Sequence, residues 1–516
     1  MTGARAFGAE SVKYGPELKS RMDPVEWLLA MLVDPEKWRA EPFIRVTHAG
    51  LRQAAQLPDG KDHFSYNELV EHKPFLDVAD KVHAKLRADS EAKLDPIERE
   101  ISTLYDTLGV MNAVFSGEAW RIVPHPDDPK ATWYSLREIG EVPAPEIGRV
   151  KTLVYALVTA YREGDRSAMA DSASALGRRL AEMAPTVYPA DDLLRREVHY
   201  NAFKPFRTAW GLYLIGFLAF LTSFGAPSRW LPAAGFVSMV AAFLVHAYGM
   251  ALRIFISGRP PVTNMYESVI WVAWGAVLFA LIFELVYKAR FFAACASAVA
   301  VVSLILADNV PILDGTIEPL VPVLRDNMWL TIHVLTITLS YAAFFLAMAI
   351  GHVILGLYFF APGKSALLRL LSNFVYRVLQ VGLLLGIAGT LLGGWWASYS
   401  WGRFWGWDAK ETSIFVALMF YLAVLHGRMI GWLRDFGMAV AGVLGFLGVL
   451  WAWYGVNFVL GVGLHSYGFG SGGYTYVGGF VVTELLIVAA AMLRNRAHRE
   501  PPAAAPEPDR SLQPAG

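Results

Sequence analysis

From residue 208 onward the chain is a succession of apolar runs separated by short polar intervals. They lie near 208–225, 232–255, 268–287, 291–307, 328–361, 373–395, 412–430, 437–456 and 476–493. Most are roughly 18–25 residues long, enough for a helix to cross the hydrocarbon core of a bilayer. The run at 328–361 is overlong and is expected to tilt or to project beyond the bilayer. Residues 1–205 follow a different pattern, with crowded charges and short stretches at helical apolar spacing. Helices are predicted at 24–32 after Asp23, at 96–108 with Asp95 as N-cap and Pro96 as first helical residue, and at 149–162 and 167–183. A β-prone piece at 119–123, a turn-rich loop at 125–131 and a Pro-interrupted linker at 142–147 separate them. The pattern predicts an all-α polytopic membrane protein with about nine transmembrane helices over 206–495. A mostly helical soluble domain, 1–205, precedes it, and a Pro/Ala-rich disordered tail, 496–516, follows.

Composition narrows the function classes. The chain is 55% hydrophobic and 17% charged, as membrane embedding requires. A net charge of zero lacks the basic surplus of a nucleic-acid binder. The single cysteine, Cys295, excludes an intramolecular disulfide, a CxxC pair and a cysteine zinc site. Thiols, if the chemistry uses them, must come from another protein. His48, His63, His72, His83, His125 and His199 are scattered without metal-ligand spacing and read as surface or helix-end residues.

Basic residues set the expected orientation. About eleven, from Arg229 to the 494–499 cluster, fall in alternate loops, against about seven at the opposite ends. The richer side is expected to be cytoplasmic, with the C-terminus. Residues 1–205 then lie outside. The apolar stretch at 27–33 is too short for a secretory signal and has acidic neighbours. Export of 1–205 would need a preceding span in a longer fused protein, unless the start or one span is misplaced.

The candidate chemistry centres on residues 393–428, where Trp395, Trp396, Trp401, Trp405 and Trp407 crowd a short interval and Asp408, Lys410 and Glu411 follow. Such a stretch at a membrane boundary is either an interfacial aromatic belt or a platform for a flat ligand. Ionisable residues in spans are costly and mark candidate sites. At 1.5 Å per residue, His246 lies roughly 18 Å and His426 roughly 22 Å below the outer boundary, and His333 roughly 10 Å. His465 sits in an external Gly-rich segment. The four sort into a deep pair, His246 and His426, and an outer pair, His333 and His465. Paired neutral imidazoles suit the axial positions of haem iron. His352 has no partner at its depth and reads as a helix–helix hydrogen-bonding residue. Asp408 would hold loop geometry with Arg403 or Lys410.

The segment WGRFWGWDAKET resembles the WWD motif of haem-handling cytochrome c biogenesis proteins, and the motif spans 395–411 here. ISGRPPVTNMYESVIW after His246, WLTIHV around His333, LHGR at His426 and VNFVLGVGLHSYGF around His465 resemble the CcsA/ResC family of the System II pathway. The likeness covers roughly 208–493. More weakly, FSYNEL and WRIVPHPDDPKATWYS resemble the external region of fused CcsBA-type proteins.

The resemblance implies a cytochrome c haem lyase component in the bacterial inner membrane, which exports haem b and presents it to apocytochrome c. It implies His246 and His426 as transmembrane iron ligands, and His333 and His465 as external ligands. Trp395, Trp396, Trp401, Gly402, Trp405, Trp407 and Asp408 would form the haem platform. Expected partners are a CcsB/ResB-like membrane protein, a thioredoxin-like thiol reductant and apocytochrome c, whose CxxCH thiols add across the haem vinyl groups. No residue reads as a general acid or base. Two other classes share features: a bis-histidine b-type electron-transfer cytochrome, and a haem exporter or chaperone of the System I type.

Overall fold

The computed structural model describes residues 24–89, 94–125, 128, 130–142, 145–310, 313–317, 320, 326–461, 463–465 and 473–497. The expected cap Asp23, parts of the 125–131 loop and the 142–147 linker, and most of the predicted disordered tail lie outside them. The chain divides into two compact units, 1–191 and 192–516.

The first unit is mainly helical. The predicted helices appear as Pro24–Val33, Pro96–Phe115, Pro145–Glu163 and Arg166–Met183. Asp95 caps its helix by accepting from the backbone N–H groups of Ile97 and Glu98, while Glu98 reaches back to the cap. The β-prone piece forms Arg121–Val123, paired antiparallel with Tyr134–Ser135. Trp27, Trp38 and Phe43 meet edge to face in the core, with centroids 5.4–6.1 Å apart. His48 and His72 stand at helix N-termini, and the His48 ring accepts from the Leu51 N–H at 3.1 Å.

Among the described residues of the second unit, nine helices are long and apolar enough to cross a membrane: Asp191–Ser223, Trp230–Ser257, Met265–Tyr287, Phe291–Asn309, Asn327–Phe360, Ser365–Trp401, Ala409–Met429, Asp435–Leu460 and Tyr474–Arg496. Each overlaps one predicted apolar run. The overlong fifth run is a single helix through which the others are organised. Its Leu335–Phe360 part packs on Ser365–Trp401, Asp435–Leu450 and Met265–Tyr287, and Ala342, Ala343 and Ala347 are fully buried along it. Small side chains let neighbouring backbones approach, which is how helices gain dispersion contact where no hydrophobic driving force separates protein from lipid.

Two features differ from the sequence expectation. The sixth helix does not stop at 395 but continues to Trp401, so Trp395, Trp396 and Trp401 ride on its last turns. No proline interrupts 393–401, and the Ser398 hydroxyl donates back to the Gly394 carbonyl at 3.1 Å, so the helix ends only at Gly402, at a left-handed φ of 70°. Secondly, two helices widen into π-helical turns, at Leu330–Val334 and Trp451–Leu460. His352 does join helices: its ring bonds the Glu484 carboxylate at 2.7 Å.

Candidate functional site

The two π turns and the tryptophan-bearing helix end enclose one cavity. It encloses about 1210 Å³ of atom-free space, open mouth included. Trp396, Trp401, Trp405, Tyr341 and Trp453 supply aromatic walls, and His333 and His465 both line it.

Each outer imidazole is fixed through one nitrogen. The Nδ1–H of His333 donates to the Gly389 carbonyl on the adjacent helix at 2.8 Å. A Cβ on Gly393 would come within 2.5 Å of the same ring, so glycine at that position is what admits it. Trp396 meets the ring edge-on at 5.8 Å. The Nδ1–H of His465 donates to Asp408 Oδ2 at 2.8 Å, and Trp401 meets that ring edge-on at 4.9 Å. Asp408 Oδ1 also accepts from the Leu464 N–H at 2.8 Å. Gly463 makes this approach possible, since it holds φ at 95° and a Cβ there would lie 2.2 Å from the carboxylate. Carbonyl and carboxylate oxygens only accept, so both rings carry a proton on Nδ1, the anchored arrangement typical of metal-ligating histidines.

Asp408 caps the Ala409–Met429 helix and forms a capping box with Glu411. Of the two partners expected for it, Lys410 is present through its backbone N–H and Arg403 is not. Arg403 bonds Glu411 instead, at 2.8 Å, and Lys410 gives Asp408 only its backbone N–H. The second Glu411 oxygen accepts from the N–H groups of Gly406 and Asp408, which ties the 402–408 loop to the helix. Burial pushes the Asp408 carboxyl up, but the His465 ring and the Leu464 N–H outweigh it and hold the group below the usual carboxylate range. For His465, burial lowers the ring's pKa and Asp408 only partly offsets it, so the neutral imidazole is favoured.

Not every expected residue faces the cavity. Trp395 and Trp407 are exposed and absent from its walls, and Trp407 has a φ of 58° that turns it outward. His246 and His426 do not line this cavity. His246 is fully buried on Trp230–Ser257, with Tyr213 OH 3.5 Å from Nδ1. His426 is exposed and donates Nδ1–H to its own helix at Leu422. Their two helices have no closely packed neighbour in common. Sequence reasoning assigned no role to Glu411, although the D-x-x-E spacing of a capping box was readable. Trp453, Asn457 and the Gly389 carbonyl carried no local signal.

Among the described residues no group of three or more His, Cys, Asp or Glu could hold a bare metal ion. Two imidazoles beside a large aromatic cavity fit instead a metal that arrives inside its own flat ligand.

A family model for cytochrome c assembly proteins matches residues 262–465. The chain is 28% identical over 460 residues to Protein NrfI of Wolinella succinogenes, which covers 85% of the chain and 49% of that protein. The chain thus spans about half the length of this relative. It is 33% identical over 258 residues to the cytochrome c biogenesis protein CcsA of Chlorella vulgaris (43% of the chain, 81% of that protein). It is 32% identical over 305 residues to CcsA of Prochlorococcus marinus strain NATL2A (49% and 93%).

Proposed function

The chain belongs to the cytochrome c assembly family, with CcsA proteins as its relatives, and on that premise we propose that it exports haem b and presents it at the tryptophan-lined cavity for attachment to apocytochrome c. The coarser statement, a multi-pass membrane protein of cytochrome c biogenesis, follows from the family and the nine apolar helices.

The observation that carries the proposal is the pair of imidazoles at one cavity, each with its Nδ1–H held by a fixed acceptor. His333 and His465 are the axial pair there. Trp396, Trp401 and Trp405 pack against the porphyrin, Trp395 and Trp407 form the exposed rim, and Gly402 and Asp408 hold the loop. His246 and His426 serve an earlier stop within the membrane. A fully buried imidazole on a membrane-spanning helix supports that role for His246. Haem supplies the vinyl groups, onto which two cysteine thiols of a CxxCH segment add to form thioethers. This chain orients the ring and contributes no thiol, as the burial of its one cysteine agrees. Proximity and orientation alone lower such a barrier substantially.

The setting we propose is the bacterial inner membrane, with the cavity and residues 1–205 outside and the C-terminus in the cytoplasm. Partners would be a CcsB/ResB-like membrane protein, a thioredoxin-like reductant and the apocytochrome. The test is co-expression with a CxxCH reporter, with the CcsB-type partner added, in a host lacking its own maturation system. Covalent haem on the reporter is expected. Bound haem in the purified protein with a reporter that never acquires it would end the lyase reading.

A further inference from the structure

The cavity lining contains a cation with no carboxylate in salt-bridge range among the described residues. Lys410 sits on the first turn of Ala409–Met429 and lines the cavity. Its ammonium carries three donors. Among the described residues its one side-chain hydrogen bond is to the Trp453 carbonyl, at 3.3 Å, and no carboxylate lies within salt-bridge range.

The two carboxylates nearest in sequence are already committed. Asp408 takes the His465 ring, the Leu464 N–H and the Lys410 backbone N–H. Glu411 takes Arg403 and the N–H groups of Gly406 and Asp408. A third polar group meets Lys410 at the same carbonyl: Asn457 Nδ2 donates to Trp453 O at 3.2 Å and also lines the cavity. Ammonium and amide donors therefore converge on one spot of an otherwise largely aromatic and aliphatic wall. A partly enclosed cation with weak compensation stabilises an incoming anion, because its desolvation cost is already met in the fold.

Resting on the haem reading of this cavity, we propose that Lys410, with Asn457 beside it, is the recognition point for a carboxylate on the edge of the flat ligand. The single positive charge matches a monoanionic carboxylate, and the aromatic remainder of the wall matches the apolar ring. The contact sets which edge of the ring enters first, and so which edge is left at the mouth.

The experiment is a titration of the purified full chain in lipid nanodiscs with haem and with haem dimethyl ester, followed by the Soret band. A H333A/H465A double variant provides the blank for haem bound elsewhere. The wild-type protein should bind the free acid about tenfold more tightly than the ester, the worth of one charge-assisted hydrogen bond. Lys410→Met should abolish that preference by weakening the free acid alone, and Lys410→Arg should keep most of it. Equal weakening of acid and ester in Lys410→Met would make the lysine merely structural and overturn the proposal. A wild-type protein indifferent to esterification would overturn it too. If no haem signal is lost in the double-variant blank, the haem reading of the cavity itself fails, a result separable from the other two.

Discussion

The two histidine pairs are built on different terms. His333 stands on a helix and His465 in a turn, yet each has its Nδ1–H tied to a fixed acceptor elsewhere in the chain, and both line one cavity. His246 and His426 sit on helices with no closely packed neighbour in common, one fully buried and the other exposed. His426 bonds a carbonyl of its own helix, and His246 packs against Tyr213, whose OH lies 3.5 Å from Nδ1, and against Phe206. Ligands whose second nitrogen is anchored need no reorganisation to bind a metal. The protein alone preorganises the outer pair. No comparable anchor outside its own helix holds His426 among the described residues.

The strongest test of the contrast removes ligands. His333→Ala combined with His465→Ala should bring reporter maturation to background, with loss of the low-spin haem spectrum of the cavity. Undiminished maturation would take the outer pair out of the mechanism. Next in size is the anchor. Asp408→Ala should weaken haem retention at the cavity by about 10–100-fold, the usual effect of removing the partner of a ligating histidine. It should also cost about 1 kcal/mol of stability through the lost helix cap. A thermal shift without a spectral change would reduce Asp408 to a cap. Gly393→Ala drives a methyl into the His333 ring and should cost about 1–3 kcal/mol as an overpacked contact, with a changed Soret position. An unchanged spectrum would mean that the ring is not fixed as described.

The pH response discriminates more finely. Burial favours neutral His465, so protonation waits until the pH is below the ordinary histidine value of about 6.5. Asp408, held below the usual carboxylate range, stays ionised over the same interval and keeps its hold on Nδ1–H. Low-spin haem at the cavity should therefore survive acidification past about 6.5 and fade only below that value. Loss of the signal on crossing 6.5 would contradict the buried, anchored ring. Smallest of all should be Trp395→Ala and Trp407→Ala, whose exposed indoles lie off the cavity wall. Trp401→Ala, which removes the face packed on His465, should have a clearly larger effect on reporter maturation.

The nine helices were legible because span length is imposed by the bilayer and written directly in apolar runs. The outer site was legible in its residues but not in its wiring. Asp408 and His465 are 57 positions apart, and no periodicity links them. The extension of the sixth helix through Trp401 was missed because Gly393, Gly394 and the clustered tryptophans read as a boundary. In fact those glycines sit against the His333 and Phe404 rings inside the bundle. For His246 and His426 the sequence yields depth alone. Rise per residue fixes height along a helix axis and says nothing about the direction a side chain faces around it.

His333 lies within the five-residue π turn Leu330–Val334. Such a turn is geometrically an α-helix that has accepted one extra residue. Deleting a single residue from it would restore ordinary winding and rotate everything on one side by about 100° relative to the other. The ring would leave Gly389 and the cavity, while the apolar composition of the helix, and its fitness to lie in a membrane, would scarcely change. Chain length in this helix is thus constrained to the single residue by ligand geometry, whereas the bilayer would tolerate several more or fewer.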